Sequence, residues 1–278
     1  MSGVSKNPKE RADKLMVAQG LVSSREKAQG LILSGAVYLH DQQIQKAGQL
    51  IAIDSELNVR ATGLPFVSRG GLKLAKALQT FQIKPTDYKC LDIGASTGGF
   101  TDCLLKNGAS SVWAVDVGYG QLAWTLRQDE RVFNLERTNF RYLDPGDMAE
   151  SFDLAVCDVS FISLKHIFQR LPLFLRPHAS FIALVKPQFE AGRDAVGKNG
   201  VVKDPKTHVA VLERVRIFGT EAGFRLQALD WSPIKGPKGN IEFLSYWRFD
   251  DQAELREFDF NDLVAKAHVS LANNEEQE

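Results

Sequence analysis

The chain of 278 residues is 44% hydrophobic and 24% charged, an ordinary globular composition, with 34 basic and 34 acidic side chains. The charge is uneven, because residues 1–85 hold 12 Lys and Arg against 6 Asp and Glu, whereas residues 250–278 hold 2 against 9. No run reaches the ~18 apolar residues that span a bilayer, and the N-terminus lacks the apolar region of a signal peptide, so we predict a soluble, cytoplasmic protein without a membrane partner.

The N-terminal part is predicted to be a polar leader, residues 1–8, followed by a small α+β module, residues 9–56. Two short amphipathic helix patterns separated by Gly20 open the module. Short β segments follow, with a turn at residues 41–43. Residues 57–68 contain Gly and Pro and are predicted to be a linker.

This module resembles the S4 RNA-binding domain. The resemblance is carried by Gly20-Leu-Val-Ser-Ser-Arg-Glu-Lys-Ala28 and Ser34-Gly-Ala-Val-Tyr38. It implies that the second helix presents basic groups to the phosphates of structured RNA. The candidate RNA-binding residues are Arg25 and Lys27, then Lys14, Lys46 and Arg69. For each of them, an ordinary exposed charge is the alternative.

A glycine-rich turn joins an apolar strand to a helix that begins near Phe100. The turn has the spacing G-x-x-x-G-G, with Gly94, Gly98 and Gly99, and the next strand ends on Asp116. Glycines let a ligand approach the backbone, and an acidic residue about 20 positions further on is where a nucleotide ribose is held. The unit therefore predicts a site for an adenosine-containing cofactor, with a plain βα turn as the alternative.

The spacing also indicates which cofactor binds. The G-x-G-x-x-G and P-loop patterns, which admit phosphates, are both missing. S-adenosylmethionine carries an adenosine and an amino-acid tail but no phosphate, so it is preferred over NAD. Asp92 is the candidate partner of its amino group or sulfonium. The candidate cofactor-binding residues are Asp92, Gly94, Ser96, Gly98, Gly99, Phe100, Asp116, Thr138, Asn139 and Asp158.

Apolar runs alternate with helix-length segments over residues 69–250. This pattern predicts an α/β, Rossmann-like fold with a mostly parallel seven-stranded sheet, helices on both faces and a final antiparallel pair. Residues 187–206 are polar and are predicted to be a mobile loop over the site, before a helix from Val209 to about Ala222. Residues 251–278 are predicted to be an acidic, solvated and partly mobile tail.

Cysteine and histidine give no support to a metal site. The three cysteines, Cys90, Cys103 and Cys157, form no C-x-x-C pair, and the five histidines are scattered. This usage predicts a reducing compartment and no bound metal.

Charged side chains follow several of the predicted strands. Asp92, Asp116, Asp158 and Lys186 stand at carboxyl ends of strands, where ligands sit in open α/β sheets. The strand that carries Asp158 is expected beside the first strand, with Lys186 one strand further along. A lysine at the edge of a dry crevice is a candidate general base, and an ion pair at the sheet edge is the alternative.

The wider pattern resembles the FtsJ-type RNA ribose 2′-O-methyltransferases, and with the S4-like module it resembles the TlyA family, often labelled haemolysins. The matching segments are Val67-Ser-Arg-Gly-Gly-Leu-Lys73, Asp92-Ile-Gly-Ala-Ser-Thr-Gly-Gly-Phe100, Cys157-Asp-Val-Ser-Phe161, Val185-Lys-Pro-Gln-Phe-Glu190 and Gly239-Asn-Ile-Glu-Phe243. The resemblance implies 2′-O-methylation of cytidine in ribosomal RNA by a catalytic tetrad. Its members are Lys73, Asp158, Lys186 as general base, and Glu242.

Three other functions stay open at this point. A membrane-active haemolysin-like protein is one, although the chain shows no spanning segment and no strongly amphipathic basic helix. The second is a non-catalytic RNA-binding factor in ribosome assembly. The third, a methyltransferase for a small molecule or a protein, leaves the basic module unexplained. The expected partners are ribosomal RNA or ribosomal subunits, without an obligate protein partner.

Overall fold

The computed structural model describes residues 8–33, 35–39, 42–59, 65–148, 150–197, 199–250 and 252–273. The chain divides into two compact units, residues 1–69 and residues 70–278. Apart from Pro8, the predicted polar leader lies outside the described residues.

The small unit contains two helices and two small sheets. Its helices are α1 (Ala12–Ala18) and α2 (Arg25–Leu33), and its strands are β1 (Lys9–Arg11), β2 (Val37–Leu39), β3 (Gln42–Gln43), β4 (Leu50–Ala52) and β5 (Leu57–Val59). Strands β1 and β4 pair with each other, and the other three form a sheet in the order β3-β2-β5. Buried apolar side chains of the helices and strands form one core between these elements.

Two local predictions for this unit are wrong. Gln42 and Gln43, predicted as part of a turn, form a strand that pairs with β2. Leu57, predicted to begin the linker, is 2% exposed and belongs to a strand that also pairs with β2. Both strands are too short for the alternation of side chains between the two faces of a sheet to be recognised in the sequence. Only their pairing with β2 identifies them as strands.

The large unit is built on a seven-stranded sheet, which confirms the predicted fold. Its strands are β6 (Lys89–Ile93), β7 (Ser111–Val115), β8 (Val132–Leu135), β9 (Phe152–Cys157), β10 (Leu175–Val185), β11 (Phe224–Trp231) and β12 (Phe243–Phe249). The order is β11-β12-β10-β9-β6-β7-β8, and only β12 runs antiparallel to its neighbours. The central strands are buried almost throughout, because helices cover both faces of a parallel sheet.

Seven helices are described in this unit. They are α3 (Gly70–Thr80), α4 (Gly99–Lys106), α5 (Trp124–Arg127), α6 (Leu164–Arg170), α7 (Pro187–Glu190), α8 (Pro205–Glu221) and α9 (Phe260–Asn273). The predicted loop 187–206 therefore begins with a short helix and ends inside α8. Helix α8 begins earlier than predicted because Asp204 accepts hydrogen bonds from the backbone of Lys206 and Thr207, with Pro205 in the first turn.

The acidic C-terminal segment is not simply a solvated tail. Helix α9 places Phe260, Val264, Ala267 and Leu271 in the main hydrophobic core, against α8 and β11. Their spacing of three and four residues forms one apolar face. Asp262 is the one acidic residue of the helix, and it is exposed. Net charge alone therefore led to the wrong prediction, because it ignores where along the segment the acidic residues lie.

Candidate active site

The site lies where the order of the sheet reverses. The chain passes from β6 to β7 and β8 on one side, and then returns to β9 on the other side of β6. The prediction that the strand carrying Asp158 neighbours the first strand is confirmed, and Lys186 follows the next strand, β10. Crevices at such reversals, outside the carboxyl ends of the strands, are where ligands bind in α/β folds.

A cavity of about 470 Å³ opens at this point, a size that suits a small organic ligand. Six predicted cofactor-binding residues line it, namely Gly94, Ser96, Asp116, Thr138, Asn139 and Asp158. Apolar side chains complete the wall, among them Val117, Phe140 and Ile162. The cavity thus combines an apolar lining with a few polar groups, as ligand sites do.

Backbone groups hold Asp116 at the wall of this cavity. Its Oδ2 accepts a hydrogen bond from the Ser96 backbone at 2.8 Å, and its Oδ1 accepts one from Gly118 at 2.6 Å. Its carbonyl oxygen accepts the backbone N–H of Thr138 at 2.9 Å. Ser96 has a φ of +49°, a conformation that non-glycine residues rarely adopt and that recurs at functional sites.

Asp92 lies in β6 directly before the cavity-lining residues Ile93 and Gly94, and it is fully buried. Its Oδ2 accepts a hydrogen bond from the hydroxyl of Thr101 at 2.7 Å, while its Oδ1 has no hydrogen-bond partner in the described part of the chain. Burial raises the pKa of this carboxyl to about 7. Asp92 is therefore an acceptor that a cationic ligand group would satisfy.

The glycines of the turn serve different purposes. Gly94 has a φ of +85°, and a Cβ there would lie 2.8 Å from the carbonyl oxygen of Asp158. A Cβ on Gly98, at a φ of +92°, would meet Leu126 at 2.3 Å, so this glycine permits the packing of α5. Gly98, Gly99 and Phe100 are absent from the described cavity wall, and Phe100 is buried in the core.

Four charged side chains meet beside the cavity and form what we call the buried charge cluster: Lys73, Asp158, Lys186 and Glu242. Lys186 Nζ lies 2.5 Å from Asp158 Oδ1, and Lys73 Nζ lies 3.8 Å from Asp158 Oδ2. Lys73 Nζ also donates a hydrogen bond to Glu242 Oε2 at 2.7 Å. Asp158 therefore contacts both lysines, and the two cations and two anions balance in charge.

Burial of the cluster makes its pairing necessary. Lys73 and Lys186 are 8% and 7% exposed, and Glu242 is 0% exposed. Ions removed from water are costly to a folded protein unless oppositely charged groups compensate them. The helix pattern predicts that Lys73 is an ordinary surface lysine. In the structure, α3 packs against α4 and β12, and Lys73 is directed inwards to Glu242.

Sequence reasoning missed several residues of this site. Ser160 lines the cavity, and its Oγ accepts a hydrogen bond from Lys186 at 3.0 Å. Phe161 also lines the cavity, although it is 90% exposed and has a φ of +65°. A bulky residue in that conformation is strained, which is common at functional sites. Both lie within three residues of Asp158, and this proximity was the signal available in the sequence.

The candidate RNA-binding residues of the small unit differ in what they contact. Arg25 is about half exposed and forms an ion pair of 2.9 Å with the fully buried Asp13, so it also stabilises the fold. Arg11 bonds to the same carboxyl and is the main reason that the pKa of Asp13 is strongly lowered. Lys27 donates to the hydroxyl of Ser23. Lys14 lies 3.6 Å from Glu10, and Lys46 and Arg69 are exposed.

A sequence model described as "FtsJ-like methyltransferase" matches residues 66–249, which include the whole buried charge cluster. The chain belongs to the FtsJ-like methyltransferase family. It is an enzyme, and its cofactor is S-adenosylmethionine, the methyl donor that the family resemblance implies.

Full-length relatives agree with this assignment. The chain is 50% identical over 268 residues to YqxC of Bacillus subtilis (strain 168), named as a candidate rRNA methyltransferase, and covers 95% of both chains. It is 41% identical over 258 residues to the 16S/23S rRNA (cytidine-2′-O)-methyltransferase TlyA of Mycobacterium tuberculosis, covering 92% of this chain and 96% of that one. These matches confirm the predicted resemblance to the TlyA family.

A solved structure covers nearly the same length. This structure, titled as a candidate hemolysin from Streptococcus thermophilus, is 45% identical, with a TM-score of 0.78. The alignment covers 98% of this chain and 100% of that one. The fold thus agrees with that of a close relative across both units.

Proposed function

We propose that this methyltransferase methylates the 2′-hydroxyl of a ribose in ribosomal RNA, and that the modified nucleotide is a cytidine. The observation that carries the proposal is the buried charge cluster, which sets a lysine held by a carboxylate beside a cavity of cofactor size. A ribose hydroxyl is a weak nucleophile until a base takes its proton, so a positioned base is what this reaction needs. The names of the TlyA and YqxC relatives support RNA as the substrate.

The residues of the cavity fit S-adenosylmethionine. Asp92 does not line the cavity, but its Oδ1 atom, buried directly before the lining residues Ile93 and Gly94, is an unsatisfied acceptor that suits the cofactor's ammonium group. Asp116 at the wall suits the ribose hydroxyls. Val117 and Phe140 supply apolar surface for the adenine ring. When bound, the cofactor supplies a methyl group activated by its sulfonium.

In our mechanism, Nζ of Lys186 takes the proton from the ribose 2′-hydroxyl, so that this oxygen becomes the nucleophile for which a bound cofactor would supply the methyl group. Asp158 Oδ1 holds that nitrogen in place from 2.5 Å. Lys73, held by Glu242, keeps the second oxygen of Asp158 engaged and helps to position the hydroxyl. Well-oriented reactants can lower a barrier by roughly 7–11 kcal/mol, so positioning supplies a large part of the rate.

The small unit is proposed to bind the RNA substrate. Its exposed basic groups Lys14, Lys27 and Lys46 suit contacts with phosphates, which position a substrate and weaken as salt rises. Arg25 is proposed to contact RNA through the part of its guanidinium that Asp13 leaves exposed.

Methyl transfer to purified ribosomal subunits tests the proposal directly. Radiolabelled S-adenosylmethionine is incubated with the protein and with subunits from cells that lack the gene, and 2′-O-methyl groups are mapped on the RNA. Lys186→Ala should abolish transfer and leave cofactor binding nearly intact, while Lys206→Ala, an exposed lysine at the start of α8, should retain it. Undiminished transfer by Lys186→Ala would exclude that lysine as the base.

The same preparation tests the alternatives. Lysis of liposomes by purified, cofactor-free protein would support the haemolysin-like function. In the described part of the chain, no helix combines the length and the apolar character needed to cross a membrane. Binding to ribosomal subunits without any methyl transfer would support the assembly-factor function instead.

A further inference from the structure

The segments that follow β9 and β10 are joined side by side through five contacts. Lys186 contacts both Asp158 and Ser160, and the rings of Phe161 and Phe189 lie 5.0 Å apart. Further along, Glu190 accepts hydrogen bonds of 2.7 Å from the Ser163 hydroxyl and the Leu164 backbone. We call this pairing of residues 158–164 with residues 186–190 the loop ladder.

Two contacts of the loop ladder act on the Lys186 amine, and they differ in kind. Asp158 Oδ1 lies 2.5 Å from the nitrogen and pairs with it by charge, although this oxygen accepts no hydrogen bond in the described part of the chain. Ser160 Oγ, at 3.0 Å, accepts a hydrogen bond from the same nitrogen. One N–H group of the amine is therefore directed at Ser160.

Asp158 does not set this orientation. An ion pair without hydrogen-bond geometry leaves the amine free to rotate about the Cε–Nζ bond among three staggered positions. Asp158 is also shared, because its second oxygen lies 3.8 Å from Lys73. Ser160 is the side chain that accepts a hydrogen bond from this nitrogen within the described residues, so it restrains that rotation.

We propose that Ser160 is a positioning residue that holds the Lys186 amine in the orientation that proton transfer from the ribose hydroxyl needs. This inference rests on the proposed function, because it assigns a task to Ser160 in the same proton transfer. Ser160 lines the cavity wall, so the amine that it holds borders the space where the cofactor binds. The loop ladder keeps Ser160 in place, since the buried Glu190 accepts a hydrogen bond from the Leu164 backbone, which does not depend on the Ser163 side chain.

Replacement of Ser160 by alanine tests this proposal. The residue is exposed, so the variant should fold normally, which its thermal unfolding will verify. General-base catalysis is worth roughly 10²–10⁴-fold in rate, and loss of one rotational restraint should remove a part of it, about 10- to 100-fold in kcat. The KM values for RNA and for S-adenosylmethionine should change less than about threefold, because the binding contacts remain.

The split between kcat and KM, together with rescue, separates positioning from a general structural defect. Ser160→Thr keeps a hydroxyl that can accept the same hydrogen bond and should recover most of the rate. A structural defect would instead lower the melting temperature, which Ser160→Ala should leave unchanged.

Ser163→Ala is the matched control. It removes a hydroxyl from the same loop that bonds to Glu190 and to the backbone of Lys165 but does not contact Lys186 in the structure. This variant should melt at a lower temperature and keep the wild-type kcat. Wild-type kcat in Ser160→Ala, or an equal loss of kcat in Ser163→Ala, would overturn the assignment.

The failure of this inference is distinguishable from the failure of the proposed function. If the wild-type protein transfers no methyl group to ribosomal RNA, the proposed function fails. If the wild-type protein is active and Lys186→Ala is inactive while Ser160→Ala resembles the wild type, only the role of Ser160 fails.

Discussion

The raised pKa of Asp92 predicts that cofactor binding depends on pH. Burial raises this pKa from 3.8 to about 7, so most of the carboxyl holds a proton at pH 5 to 6 in the unliganded enzyme. A partner ammonium requires the ionised form, and binding must therefore release a proton. The Kd for S-adenosylmethionine should rise about fivefold from pH 7 to pH 6 and about tenfold from pH 6 to pH 5, which is roughly 50-fold over the whole range.

The same shift affects stability, with a sign that follows from the direction of the shift. The unfolded chain loses the Asp92 proton above about pH 4, whereas the folded chain keeps it until about pH 7. The folded state therefore loses stability as pH rises across this window, by about 4 kcal/mol from this fully buried group. Bound cofactor should offset the loss, because it compensates the ionised carboxylate.

Isothermal titration calorimetry from pH 5 to pH 7, in buffers of different ionisation enthalpy, measures both the Kd and the proton release. Asp92→Asn should bind more weakly at pH 7 and show no pH dependence. Asp87→Asn is the matched control. Asp87 is exposed and lies just before the first residue of β6, away from the cavity end of the strand, so this variant should behave like the wild type. A wild-type Kd that stays constant over this range would refute the reasoning.

Two further predictions concern stability and are checked by chemical denaturation. Glu242→Gln should cost about 3 kcal/mol or more, because the buried Lys73 loses its closest carboxylate, whereas the exposed Glu254→Gln should change little. A loss below about 1 kcal/mol would mean that Asp158 compensates Lys73 without Glu242. Leu271→Ala should cost roughly 2–5 kcal/mol, because this side chain fills the main core, and the exposed Val269→Ala on the same helix should stay within about 0.5 kcal/mol. Equal effects of the two α9 variants would show that the helix is not part of the core.

Local patterns in the chain were sufficient for much of the fold. The apolar runs that end at Asp116, Asp158 and Lys186 are strands, and their alternation with helices predicts the parallel sheet. These features are local, because burial on both faces of a strand requires a continuous apolar run wherever that strand lies. The low cysteine content and the equal numbers of basic and acidic residues are likewise properties of the sequence, and they do not depend on any tertiary contact.

The long-range partners could not be predicted from such patterns. Lys73 and Glu242 lie 169 residues apart, and without the family resemblance nothing near either one marks it as part of a buried pair. Helix α9 was misassigned because acidic residues outside the helix dominate the net charge of the segment, although the apolar face of the helix completes the core. Gly98 looked like part of the cofactor loop, but its missing side chain makes room for Leu126.

By itself, the sequence determined the strand ends that carry charged groups, the glycine turn and the presence of two units, because each depends on neighbouring residues. Only the tertiary structure decided which of those groups meet. It placed Asp158 between two lysines and Ser160 against one of them. The physical reason is that pairing of buried charges depends on distances of a few ångströms, which strand order and helix packing establish after the chain has folded.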